Sequence, residues 1–152
     1  MSRKISRELA FKIIFASNFQ DEEINLEEMI AELLKEKNFD SYSENIKLED
    51  VKTEDIEYIK DIVFGVRSKV TFLDEQIEKH LKGWTMDRIC KTDLAILRLA
   101  IYEILYRSDI PDKVSVNEAV ELAKAFSEKF SSSFINGLLA EIINKKVEGL
   151  NE

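Results

Sequence analysis

The sequence predicts an all-helical protein, and three observations carry that prediction. Only four glycines and one proline occur in 152 residues, so chain breakers are scarce. Leu, Ile, Ala, Glu and Lys are abundant, and all but β-branched Ile rank among the strong helix formers. Apolar residues recur at helical spacing in six or seven segments, and no segment shows a sustained strand alternation.

The first helix spans about 4–19. Ile5, Leu9, Ile13 and Ala16 form one apolar stripe, while Arg3, Lys4, Arg7, Phe11, Ile14 and Phe15 lie on the other side. Two readings fit that second face: a helix buried on both sides whose arginines snorkel outward, or a binding surface. Asp21 or Asn25 caps a second helix of about 22–37, where Leu26, Met29, Ile30, Leu33 and Leu34 keep i, i+3, i+4 spacing. Its acidic outer face reads as solvated. Residues 38–52 lack a period and read as a loop.

Thr53 opens a long helical stretch with Glu54 and Asp55 in its first turn and Ile56, Ile59, Val63 and Val66 facing inward. A break near Ser68–Thr71 is expected, with Thr71 and Asp74 capping a new helix that carries Leu73, Ile77 and Leu81. Gly83-Trp84-Thr85 ends it, with Trp84 as a packing residue. Thr92 to Arg107 is apolar nearly all round, which places it in the middle of a bundle. Arg98 and Glu103 within it then need partners. Pro111 marks a turn. Ser115 and Glu118 form a capping box, with Val114 and Ala119 at the staple positions, for a helix running to about Ser127. Ser131–Ser133 caps the last helix, which carries Phe134, Leu138, Leu139, Ile142 and Ile143.

Composition bounds the function. The chain is 45% apolar and 34% charged, as in a globular protein, and reads as one helical domain over 1–152. Its formal net charge of -8 excludes nucleic-acid binding by bulk attraction. The charge is uneven, however. Residues 1–12 hold Arg3, Lys4, Arg7 and Lys12 against Glu8 alone, whereas 21–61 hold fifteen acids against five lysines. Any nucleic-acid site must therefore be local. No apolar run is long enough to span a bilayer, and the start lacks a signal-peptide apolar region, so a cytoplasmic protein without membrane attachment is expected.

Catalytic motifs are missing. Cys90 is the single cysteine, which excludes an internal disulfide or a cysteine zinc cluster, and it reads as a packing residue. His80 is the single histidine, and no phosphate-cradling glycine loop is present. A non-enzymatic protein without metal or cofactor is expected.

The run from Asp87 to Ile142 resembles the NusB family of transcription antitermination factors. Three blocks carry the likeness: the helix with Asp93, Ala95, Leu97-Arg98-Leu99-Ala100 and Tyr102-Glu103; Pro111 to Lys124 with Asn117-Glu118-Ala119; and Phe134-Ile135-Asn136-Gly137 with Leu139. Ser6-Arg7-Glu8 resembles the family's basic start. Residues 20–60 match little beyond being helical.

The resemblance implies six or seven helices packed as two perpendicular helical bundles and no catalytic activity. It implies binding of boxA RNA together with NusE, a small-subunit ribosomal protein, within the RNA polymerase antitermination complex, notably on ribosomal RNA operons. Single-stranded RNA is held by basic groups on phosphates and by rings stacked on bases. By position, Arg3, Lys4 and Arg7 match the family's basic element, Phe15 its helix-one aromatic, and Phe134 the aromatic that opens the last helix. Core packing is the competing reading for Phe134. Asn136 either reads a base edge or ties down a helix turn. Asp93 matches an acidic position facing NusE, where an acidic face suits a basic partner.

Two departures stand out: Phe130 and Ser133 replace an acidic residue and a lysine common in relatives, which suggests weak RNA binding unless NusE is present. A protein-interaction bundle with RNA binding weakened or lost is the alternative function, and a homodimer is a possible arrangement.

Overall fold

The computed structural model describes residues 2–17, 25–35, 50–83 and 85–150. Within them run seven α-helices: α1 (Arg3–Ala16), α2 (Leu26–Lys35), α3 (Thr53–Ser68), α4 (Val70–Lys79), α5 (Lys91–Tyr106), α6 (Asp112–Phe126) and α7 (Ser131–Leu150). A short 3-10 turn, Met86–Arg88, precedes α5. The all-helical expectation holds among the described residues. The ends read for the first helix at 18–19 and the second at 22–24 and 36–37, the loop over 38–49, Asp21 and Trp84 lie outside them. The chain divides into two compact units, Met1–Arg67 and Ser68–Glu152.

In the first unit, α1 begins at Ser2, whose hydroxyl accepts from the Ile5 amide at 3.3 Å. Asn25 caps α2 by accepting from the Glu28 amide at 3.2 Å. The α3 start is held by Asp55, which accepts from the Lys52 amide at 2.9 Å. Its other oxygen accepts from the Ser6 hydroxyl of α1 at 3.3 Å, so one buried carboxylate joins two helices. Leu9, Ile13, Leu26, Ile30, Ile59, Ile62, Val63 and Val66 are buried. Phe11 and Ile14 are buried as well, so the middle of α1 is covered on both sides.

In the second unit, α5 packs against α4, α6 and α7, as its apolar circumference requires. The partners expected for its charges are present. Arg98 donates two parallel bonds to the Asp74 carboxylate of α4, each 2.8 Å. Buried Glu103 accepts from the Ser115 hydroxyl of α6 at 2.8 Å. Lys146 of α7 donates to the Ile104 carbonyl near the end of α5 at 2.7 Å and to Asp112 of α6 at 3.0 Å.

Two expected helix starts shift. Thr71 and Asp74 do not cap α4, which begins at Val70 after Lys69, because α3 continues through Ser68 and leaves one residue for the break. The Asp74 carboxylate serves Arg98, and a bidentate charge-assisted pair outcompetes a cap. Ser115 does not open α6 either. The helix starts three residues earlier, at Asp112, with Pro111 in the capping position at φ -60. Proline's fixed φ and lack of an N–H suit a helix entrance. The Ser-x-x-Glu pattern at 115–118 lies inside the helix, where Ser115 meets Glu103.

Candidate nucleic-acid interface

The first unit presents a short basic segment at the start of α1. The Ser2 cap sets the helix, and Arg3 and Lys4 emerge exposed in its opening turn. The Arg3 guanidinium lies 4.2 Å from the centre of the Tyr58 ring, and the Arg7 guanidinium 5.9 Å from the same ring. Tyr58 comes from α3 and is 1% exposed. Cation–π attraction strengthens where water is excluded, so this ring fixes where the two arginines sit.

The two arginines differ in reach. Arg7 is 3% exposed and belongs to the packed interior of the unit. Arg3 and Lys4 are the exposed members of the expected basic set. Phe15, twelve residues beyond Arg3 on the same helix, is 48% exposed, and its ring centre is 6.4 Å from that of buried Phe11. At 1.5 Å rise per residue, Phe15 lies about 18 Å along the helix axis from Arg3. Of the two helix-one aromatics, Phe11 serves the core and Phe15 meets solvent.

The second unit presents a groove of about 240 Å³ between the Arg88–Cys90 segment and the turn joining α6 to α7. Phe130 and Phe134 line it together with Arg88, Cys90, Glu128 and Asp93. Phe134 is half-buried, and Asn136, two residues further on, is exposed. Asp93 is 7% exposed. Its two carboxylate oxygens accept from the hydroxyls of Ser127 and Ser131, the latter at 2.8 Å. The two serine hydroxyl oxygens lie 2.9 Å apart, each spending its proton on Asp93. Asp93 thus ties the start of α5 to the turn that carries Phe130 and leads to Phe134.

Tyr58 escapes detection in the sequence, because its role depends on α3 packing beside α1. Arg88 and Cys90 escape it too, since they enter the groove from an irregular segment. Among the described residues no group of three metal-ligating side chains is assembled, and no helix is long and apolar enough to cross a membrane.

Comparison with known proteins identifies the family. The profile of the NusB family matches residues 4–144. The transcription antitermination protein NusB of Clostridium botulinum (strain Hall) is 41% identical, the match covering 94% of this chain and all of the relative. Among solved structures, NusB of T. maritima superimposes with a TM-score of 0.74 at 29% identity, covering 93% of this chain and 90% of that one. A complex of the antitermination factors NusB and NusE with dsRNA contains a chain with a TM-score of 0.72 at 26% identity, covering 94% and 96%. A profile match over nearly the whole length, joined to the same helical fold, establishes that this chain belongs to the NusB family of transcription antitermination factors, which are not enzymes.

Proposed function

We propose that this protein binds single-stranded boxA RNA together with NusE and acts within the RNA polymerase antitermination complex of the cytoplasm, notably on ribosomal RNA operons. The observation that carries the reading of NusE and RNA as partners is the likeness to a chain solved in complex with NusE and dsRNA, at 26% identity over 94% of this chain. Local chemistry agrees with it. Arg3 and Lys4 offer exposed cations on a chain of net charge -8, where long-range attraction to RNA is absent.

In this reading Arg3 and Lys4 hold phosphates, and Arg7 braces that segment from beneath. Phe15 and Phe134 offer ring surface to bases, and Asn136 offers an amide to a base edge. Asp93 contributes to the NusE-bound assembly through the turn it holds. Ser133, where relatives commonly carry lysine, leaves the isolated protein short of one phosphate contact.

Titration of labelled boxA RNA tests this. Binding is expected to be markedly tighter with NusE than without it. Equal affinity in both titrations would remove the partner from the reading, and no binding in either would remove the RNA.

A further inference from the structure

We propose that Phe130 is a second base-stacking ring of this protein, forming with Phe134 and Arg88 a cradle for one unpaired nucleobase. The inference rests on the RNA-binding reading above and adds to it a residue that reading does not use.

A single exposed apolar side chain is ordinary on a protein surface. Phe130 is distinguished by its surroundings. It is 78% exposed and sits at the mouth of the groove that Phe134 also lines. The Phe134 amide donates to the Phe130 carbonyl at 3.3 Å, so the two residues are one helical turn apart at the head of α7. Both side chains line one groove, where they offer a base an apolar floor. The Asp93–Ser131 bond anchors the backbone between them.

Charge selects the occupant. Exposed Arg88 lines the same groove, and the Lys129 ammonium lies 5.8 Å from the Phe130 ring centre. Aromatic surface bordered by cations is what a base and its phosphate require, because stacking holds the base and the cations hold the backbone. Of the two groove acids, Asp93 is engaged by serines, and Glu128 offers an acceptor to a base amino group. Phe130 thus supplies stacking surface at the groove without adding a charge that would repel phosphate.

The test measures anisotropy of boxA RNA with NusE present, for the wild type, Phe130→Ala and Phe130→Tyr. Phe130→Ala is expected to weaken binding about 5-fold to 160-fold, the range for losing one stacked base, while Phe130→Tyr binds as wild type. The salt dependence stays unchanged in Phe130→Ala, since no phosphate contact is lost, and becomes shallower in Arg88→Ala. A series of RNAs with one abasic position each should contain one site at which Phe130→Ala has no further effect. Wild-type affinity in Phe130→Ala overturns the inference and leaves the RNA reading intact. Failure of the wild type itself to bind overturns both. Loss of affinity for NusE alone, with RNA binding unchanged, overturns it in favour of a protein-docking groove.

Discussion

Ser115 and Glu103 meet inside the second unit, hydroxyl to carboxylate at 2.8 Å, with both residues buried. A carboxylate removed from water depends on each donor it has, and a hydrogen bond to a charged group is worth more than a neutral one. Ser115→Ala should therefore lower the unfolding free energy by about 1.5–3 kcal/mol. Glu103→Gln in the Ser115→Ala background should recover part of that loss by removing the buried charge. Urea unfolding of the wild type and both variants checks this, and an unchanged slope would show that the denatured state is unaffected.

Arg98 and Asp74 provide a contrasting case, because their side chains are 17% and 30% exposed. The planar fork makes two bonds of 2.8 Å, a geometry that lysine cannot reproduce. Asp74→Ala is expected to cost about 1–2 kcal/mol, and Arg98→Lys to recover little of the wild-type pairing. Thermal unfolding at low and high salt separates the contributions. A loss that vanishes at high salt would mark the pair as an ordinary surface interaction.

In both pairs one half of the relationship is legible in the sequence and the other half is not. The apolar circumference of α5 implies its central place, and its two charges therefore need partners. Which residues answer them is not legible, because Asp74 and Ser115 each fit a local capping pattern equally well. A cap needs only neighbours in the chain, whereas the observed bonds need α4 and α6 to be packed on α5. The same holds at the interface residues. The cations of α1 are legible from their number in an acidic chain. The ring of Tyr58 under two of them is not, because 51 residues separate it from Arg7 in sequence.

Tyr58 gives a prediction of its own. Its ring faces the Arg3 guanidinium at 4.2 Å and that of Arg7 at 5.9 Å. A cation over a ring is worth about 0.5–2 kcal/mol, so losing the ring should weaken RNA binding by about 2-fold to 30-fold. Tyr58→Phe keeps the quadrupole and should preserve affinity, while Tyr58→Leu should lose it. Combining Tyr58→Leu with Arg3→Ala should then add little, since the ring acts through the arginine. Circular dichroism melts verify that both variants are folded at the assay temperature. Additive losses in a folded double variant would separate Tyr58 from Arg3.

Cys90 allows the groove to be probed without changing a base contact. It is the single cysteine of the chain, it is exposed, and it lines the groove with Phe130 and Phe134. Its sulfur lies 3.9 Å from the Ser127 hydroxyl, beside the network that holds the α6–α7 turn. A base seated on the two rings would cover the thiol. Alkylation by iodoacetamide should therefore slow several-fold when boxA RNA and NusE are both bound, and much less with NusE alone. Phe130→Ala should reduce this protection at equal RNA occupancy, because the base then loses part of the floor that keeps it over the sulfur. Mass spectrometry of the intact protein over time reads the rate directly. Equal rates with and without bound RNA would place the RNA elsewhere on the protein.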